Sequence, residues 1–373
     1  MKKKIIILST NRADYDHLFW LYKDLKKNKK FEIFFLISNK IKTQNDKIKK
    51  KQIRLSIKGD KPDDIINVFS SSIKSFSKEF SNIKPHLLIL LGDRYEILSA
   101  AIAASILKTP IAHLNGGEIT LGAYDNWIRH SITKMASLHF VANNFYKRRV
   151  IQLGEDFKTV NNVGGLSMDN IVKTKLLNSK ELESQLKIKL KKKNLLITYH
   201  PETLENNTVK EFKNLLRVLK NLKNTLLIFT KPNFDTDNKI IYDLTKHFVK
   251  KNKNSKIFNS LGRVRYLSLA KKCDMVIGNS SSGLLEMPYL NKISINIGER
   301  QHGRNKEPTV IDAKANKNEI YKAIKIGYTY IKNSKKFKLK YFYGKGNAAQ
   351  KISSILNNHN FQFNLKKEFK DII

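Results

Sequence analysis

The sequence predicts an α/β protein built from two Rossmann-like domains facing a central cleft. Three observations lead there. Short apolar runs alternate with amphipathic segments along most of the 373 residues, the pattern of parallel strands covered by helices on both faces. The alternation stops at Gly164-Gly165 and restarts after a polar, lysine-rich stretch, Leu166–Lys193. Turns rich in glycine, serine and acids follow several of the apolar runs, at the strand ends where open α/β sheets bind ligands.

The first series runs strand Lys4–Ser9, helix Asp14–Lys27, strand Phe31–Ile37, a short strand Arg54–Ile57, helix Asp63–Phe80 and strand His86–Leu91. Helix Tyr95–Leu107, strand Pro110–His113, helix Asp125–Ala136, strand Leu138–Val141, helix Asn144–Leu153 and strand Thr159–Val163 follow. The second series has strands at Asn194–Tyr199, Thr225–Thr230, Lys256–Phe258, Asp274–Ile277 and Ile293–Ile297. Its helices are Asn207–Leu222, Asn238–Lys250, Arg263–Ala270, Ser282–Tyr289 and Asn316–Ile331, with Gln350–Leu356 in a basic tail. The expected domains are 1–165 and 194–345, joined by a linker or connecting helix over 166–193. A tail, 346–373, is expected to pack back on the first domain. Two βα series in tandem are the layout of the glycosyltransferase B-type fold.

Composition narrows the partners. At 41% hydrophobic the chain can bury real cores, and no run of eighteen apolar residues predicts a membrane span. Met1–Ser9 has a basic start and an apolar run but no small-residue cleavage site, so a first buried strand is the better reading. The single cysteine, Cys273, excludes an internal disulfide. A cytoplasmic protein is expected. The net charge of +39 suits a polyanion partner, but the lysines are scattered and no basic-aromatic motif stands out. Nucleic-acid binding is therefore not expected, and a nucleotide or polyphosphate substrate is favoured. The sequence has no phosphate-binding Gly-x-x-x-x-Gly-Lys-Ser/Thr motif and no zinc spacing, so neither a metal nor a cofactor is expected.

The motifs follow the strands. In Ser9-Thr-Asn-Arg-Ala-Asp14 the strand-turn-helix presents N–H groups to an anion, with Arg12 as a second contact; the turn equally suits a plain helix start. In Gly92-Asp-Arg-Tyr-Glu96, Asp93 is either an acid facing a ligand or the N-cap of a capping box completed by Glu96. His113-x-x-Gly-Gly-Glu118 places Glu118 behind a tight turn as an acid or base, and His113 as a core histidine or a site residue. Asp125 and Arg129 lie four apart on one helix, as a surface ion pair or as an arginine-held carboxylate. His200, fixed by Pro201, can protonate a leaving group, bind phosphate, or simply end a turn. Gly278-Asn-Ser-Ser-Ser-Gly283 is the strongest phosphate signal, with Glu286 a turn later placed for two ribose hydroxyls. Arg300 and Arg304 add charge beside it, or belong to a basic surface loop.

These motifs, in this order, resemble the hydrolysing branch of the UDP-N-acetylglucosamine 2-epimerase family. Besides the stretches above, Thr133-Lys-Met135, Leu138-His-Phe140, Gln152-Leu-Gly-Glu155, Tyr199-His-Pro-Glu-Thr203, Thr230-Lys-Pro-Asn233 and Asn296-Ile-Gly-Glu-Arg-Gln301 carry the likeness, which spans nearly the whole chain. The resemblance implies elimination of UDP from a UDP-sugar across C1 and C2, a glycal intermediate, and hydration to the free 2-epimer, N-acetylmannosamine or a relative. It implies Asp93, Glu118 and Asp125 as acid/base carboxylates and His200 as the group assisting the diphosphate. Arg12, Ser281, Ser282, Gly283 and Glu286 match its UDP-binding positions. His113, Arg129, Gly278 and Arg300 complete the expected substrate-binding set, and a homo-oligomer, dimer or tetramer, is expected. A sibling substrate is UDP-N,N'-diacetylbacillosamine. Other classes open to this pattern are a glycosyltransferase of the same fold and a basic nucleic-acid binder.

Overall fold

The computed structural model describes residues 1–38, 48–55, 59, 61–121, 123–202, 207–232 and 238–371. Gly122, Thr203, Asn233 and the Ser56-Ile57 half of an expected strand lie outside the described residues. The chain divides into two compact units. One comprises Met1–Glu118, Asp125–Val172 and Phe342–Ile373; the other comprises Ile119–Tyr124 and Lys173–Tyr341.

The first unit opens with β1 (Lys3–Ser9), α1 (Arg12–Lys26), β2 (Phe31–Ser38), β3 (Lys50–Ile53), α2 (Pro62–Ile83), β4 (Leu87–Leu91) and α3 (Tyr95–Ile106). It continues with β5 (Ile111–Leu114), α4 (Asp125–Met135), β6 (Leu138–Val141), α5 (Asn144–Gln152), β7 (Val160–Asn162) and α6 (Leu166–Lys173). The strands form one seven-stranded parallel sheet in the order β3-β2-β1-β4-β5-β6-β7. Ile5, Ile6 and Ile7 of β1 and Leu87, Leu88, Ile89 and Leu90 of β4 are fully buried. Central strands of such a sheet are covered on both faces, so they read as unbroken apolar runs. The chain works outward from β1 to β3, then returns to β4 on the other side of β1. The loops leaving β1 and β4 therefore part to opposite faces, the switch point where open α/β sheets hold ligands.

The second unit repeats the plan. It contains α7 (Ser179–Leu186), β8 (Lys193–Thr198), α8 (Thr208–Lys220), β9 (Thr225–Thr230), α9 (Asn238–Lys251), β10 (Ser255–Phe258) and α10 (Gly262–Lys272). Then come β11 (Met275–Gly278), α11 (Ser281–Leu285), β12 (Ile293–Ile297), β13 (Val310–Ala313) and α12 (Lys317–Lys332). The six-stranded sheet has the order β10-β9-β8-β11-β12-β13, so its switch point lies between β8 and β11. Leu195, Ile197, Met275, Ile277, Ile295 and Ile297 form its core with Phe212, Leu215 and Leu219 of α8.

The chain then rejoins the first unit through α13 (Ala348–Asn358). Ala348, Ala349, Ile352 and Leu356 share a core with Leu18, Leu21 and Leu25 of α1. Asn347, at the start of α13, makes no side-chain cap. The Asp169 carboxylate supplies one from α6, accepting from the backbone N–H of Ala348 at 3.0 Å and of Ala349 at 3.4 Å. A carboxylate there satisfies orphan donors and the positive helix end together.

Several elements differ from the sequence expectation. The strand expected at Arg54–Ile57 is β3, which lies earlier, at Lys50–Ile53; as an edge strand it exposes Lys51 and Gln52 and gives no apolar run. β13 was not expected, and it too is an edge, paired only with β12. The helix expected to reach Tyr289 ends at Leu285, and a 3-10 turn over Pro288–Leu290 follows, since proline cannot continue an α-helix. The expected 166–193 connector holds α6 and α7, with the division after Val172. Ile119–Tyr124 groups with the second unit, and the return begins at Phe342 rather than 346. Among the described residues no helix is long and apolar enough to cross a membrane.

Candidate active site

In the first unit the acids gather at the C-terminal ends of β4 and β5, neighbours in the sheet. Gly92 turns the chain out of β4 with φ +84, a conformation that favours glycine. The N-cap of α3 is Arg94, not Asp93, and it makes no side-chain cap bond. The capping box that Asp-x-x-Glu spacing suggested is therefore absent. Glu96 instead accepts from Arg94 Nε at 3.1 Å in a buried pair. The Asp93 carboxylate is bound by Arg129 from α4. Arg129 is 1% exposed, and its other arm donates to the Glu118 carbonyl at 2.8 Å. One guanidinium thus ties the loop after β4 to the loop after β5. Asp125 opens α4, one turn before Arg129.

The turn into Glu118 is built on backbone constraints. Asn115 has φ 63 and Gly117 φ 79. A Cβ on Gly117 would sit 2.5 Å from the Tyr146 carbonyl oxygen, so only glycine fits. Arg149 donates to the Gly117 carbonyl at 2.6 Å. Glu118 itself is 2% exposed.

His113 does not match its expected place among the substrate-binding residues. It is fully buried, with Nε2 2.8 Å from the Gly92 carbonyl oxygen and Nδ1 3.0 Å from Thr133 Oγ1. Burial pulls its pKa down to about 3, so the ring is neutral. A carbonyl only accepts, so Nε2 carries the proton and Nδ1 accepts from Thr133. His113 is therefore a brace between the loop that carries Asp93 and the helix that carries Arg129.

The loop after β1 lies beside that after β4. Asn11 caps α1, its Oδ1 accepting from the Asp14 N–H at 3.0 Å. Arg12 pairs at 4.0 Å with Asp16. Burial lifts the Asp14 carboxyl to about 8; Arg94 opposes the rise, and the charges of Asp93 and Glu96 add to it. Asp14 lies in the first turn of α1, where the sequence shows only a helix-start acid; its nearness to Asp93 depends on sheet order.

In the second unit the expected residues meet at the β8–β11 switch point. His200 follows β8 and is 6% exposed. Its backbone N–H donates to Asn279 Oδ1 at 2.7 Å, and Asn279 Nδ2 donates back to its carbonyl at 2.8 Å. The Asn279 carbonyl in turn accepts from Arg300 Nη1 at 3.3 Å and Gln301 Nε2 at 2.9 Å. Asn279 is thus the hub that sequence reading missed; only the ability of an amide to bridge two backbone groups signalled it. Two glycines expected to touch substrate have steric reasons for being glycine. A Cβ on Gly278 (φ +143) would lie 1.9 Å from the Thr198 carbonyl oxygen, and one on Gly283 2.5 Å from Ser294 Oγ. Ser280 caps α11, which begins at Ser281. Ser282 Oγ donates to Glu286 at 2.5 Å and lies 2.7 Å from the Tyr266 hydroxyl. Glu286 is thereby held in place, 7% exposed.

Each unit by itself offers half of a chemistry. The first holds carboxylates on an arginine at strand ends, suited to moving protons. The second holds a histidine, an arginine and a serine turn, suited to an anion. Among the described residues no group of His, Cys, Asp and Glu side chains is arranged to hold a metal ion.

A family model described as UDP-N-acetylglucosamine 2-epimerase matches residues 28–357. A Campylobacter jejuni protein named GDP/UDP-N,N'-diacetylbacillosamine 2-epimerase (hydrolyzing) is 41% identical over 327 residues, 84% of this chain and 85% of its own length. Polysialic acid biosynthesis protein P7 of Escherichia coli is 43% identical over 267 residues, 70% of this chain and 67% of its own. The solved structure of Methanocaldococcus jannaschii UDP-GlcNAc 2-epimerase in complex with UDP-GlcNAc and UDP has the same α/β fold, with a TM-score of 0.80 at 18% identity. That match covers 95% of this chain and all of the other. The two parallel sheets, the motif order and the matched span show that this chain belongs to the UDP-N-acetylglucosamine 2-epimerase family, alongside relatives named as hydrolysing 2-epimerases.

Proposed function

We propose that this protein converts UDP-N-acetylglucosamine and water to N-acetylmannosamine and UDP. A carboxylate takes the proton from C2, the C–H electrons form the C1–C2 double bond, and the C1–oxygen bond to the diphosphate breaks. A carboxyl group then returns a proton to C2 on the opposite face, and water adds at C1 as hydroxide, its other proton passing to a carboxylate. Asp93, Glu118 and Asp125 move the protons. His200 assists the departing diphosphate. Arg12, Ser281, Ser282, Gly283, Glu286 and Arg300 hold UDP. A C2 proton is weakly acidic, so its removal needs a positioned base, and a leaving diphosphate needs fixed positive charge.

The observation that carries this reading is the Arg129 bridge between Asp93 and the Glu118 backbone, which fixes two of the acids relative to each other. A second reading takes UDP-N,N'-diacetylbacillosamine as the sugar, and the name of the Campylobacter jejuni relative at 41% identity favours it. A cytoplasmic homo-oligomer belongs to the same proposal; a monomer by light scattering would remove the oligomer. Incubating the purified protein with each UDP-sugar and identifying products by NMR tests the reaction and chooses the substrate. The reading expects free 2-epimer and UDP from one of the two sugars, and turnover of neither would overturn it.

A further inference from the structure

Behind the His200 turn lies a pair of carboxyl groups that the reaction above does not use. Glu202 is 4% exposed. Its backbone is locked to the start of α8, its N–H donating to Thr208 Oγ1 at 3.1 Å and its carbonyl accepting from that hydroxyl at 3.3 Å. Its Oε1 is buried with no hydrogen-bond partner. That oxygen occupies the space a side chain on Gly298 would need: a Cβ there would lie 2.7 Å from Glu202 Oε1 and 3.9 Å from Glu211 Oε2. Gly298 (φ +77) thus leaves one gap on which both carboxyl groups converge. The Tyr199 hydroxyl, at the end of β8, donates to Glu211 Oε2 at 3.3 Å.

The charged and titratable groups facing Glu202 are Glu211 on α8, Tyr199 after β8 and Arg300 after β12. Burial first, and the Glu211 charge second, raise the Glu202 carboxyl to about 7; the Arg300 backbone N–H and guanidinium and the Asn279 side chain oppose the rise. Two carboxyl groups that converge on one gap, one of them buried, cannot both ionise cheaply, so they titrate as a pair. Asn279 is also the residue that holds the His200 turn, and Arg300 donates to the Asn279 carbonyl.

We propose that Glu202 and Glu211 share one proton, and that this proton positions Arg300 and the Asn279-held His200 turn for the substrate's diphosphate. The inference deepens the assignment of UDP to the second unit and rests on it. With the proton in place the pair carries a single charge, and Arg300 is balanced between the pair and the ligand. Loss of the proton adds a second negative charge beneath Arg300 and draws the guanidinium towards the pair. A bound diphosphate, adding negative charge on the other side of Arg300, favours the protonated pair. UDP binding should therefore take up protons near neutral pH.

Calorimetric titration of UDP into wild type, Glu202→Gln and Glu211→Gln, in buffers of differing ionisation enthalpy, tests this. Any contribution of UDP's own phosphate is common to all three proteins, so the differences are read. Wild type should take up more protons than Glu202→Gln, and its affinity should weaken about fivefold more from about pH 6.5 to about pH 8. In Glu211→Gln the uptake should move to lower pH, which carries the test should Glu202→Gln fail to fold. UDP bound with equal proton uptake and equal pH slope in wild type and variants would overturn the proposal while leaving the UDP assignment standing. No UDP binding by wild type would overturn both. Carboxyl titration by 13C NMR of glutamate-labelled free protein decides independently of UDP: a signal titrating near pH 7 and lost in Glu202→Gln is expected, and ordinary titration of every glutamate would overturn the shared proton.

Discussion

Arg129, on α4, binds the carboxylate of Asp93, and its other arm holds the Glu118 carbonyl at 2.8 Å. The guanidinium is 1% exposed, so bulk water cannot stand in for it. Lysine keeps the charge but not the two-armed reach. Arg129→Lys is expected to lower kcat about 100-fold, a typical cost of misplacing a reacting group, while UDP affinity stays near wild type. UDP release and calorimetry measure the two, and an unchanged kcat would show that the bridge does not position Asp93.

Asp93→Asn keeps the shape of the side chain and removes its basicity. Elimination should be abolished, with UDP still bound. Turnover like that of wild type would remove Asp93 from the catalytic set.

Gly117 combines φ 79 with a Cβ position 2.5 Å from the Tyr146 carbonyl oxygen. Gly117→Ala is expected to cost about 2 kcal/mol or more in stability, from backbone strain and the clash with backbone that cannot rotate away. Denaturant unfolding reads this cost, and a change under about 0.5 kcal/mol would mean that the turn relaxes readily.

Glu155 anchors the C-terminal tail within the first unit. His139 Nε2 lies 2.9 Å from it, the Lys134 ammonium 2.8 Å and the Lys367 ammonium 2.6 Å. Burial pushes the Glu155 carboxyl up, but these partners outweigh it and hold it at about 2. Burial also lowers the pKa of His139, so the neutral ring donates from Nε2. A carboxyl depressed in the folded state stabilises the protein above its unfolded value of 4.5, and that contribution is lost as pH falls towards about 2. Tm should fall across this window in wild type. Glu155→Gln should start lower at neutral pH and fall less steeply; equal slopes would exclude the clamp as the cause.

The sequence carried most of the central strands, because burial on both faces writes itself as an apolar run, as in Leu87-Leu-Ile-Leu-Leu91. The edge strands Lys50–Ile53 and Val310–Ala313 carry no such run and were misplaced or missed. The site residues were legible as types at strand ends but not as partners. Asp93 and Glu96 satisfy a local capping rule, yet Asp93 is bound by a residue 36 positions away. Asn279 grips His200 across 79 positions. Such pairings follow from which strands lie side by side, and a single sequence does not state that order. The glycines follow the same rule: the room that Gly278 needs is set by the neighbouring backbone of Thr198, 80 positions back.

In the proposed reaction a carboxyl group removes the C2 proton of a UDP-sugar, and solvent later supplies its replacement. NMR of the product formed in deuterated water reads both steps. Free 2-epimer carrying deuterium at C2 is expected, with UDP released in equal amount. A released sugar that retains its original C2 hydrogen and configuration would contradict it.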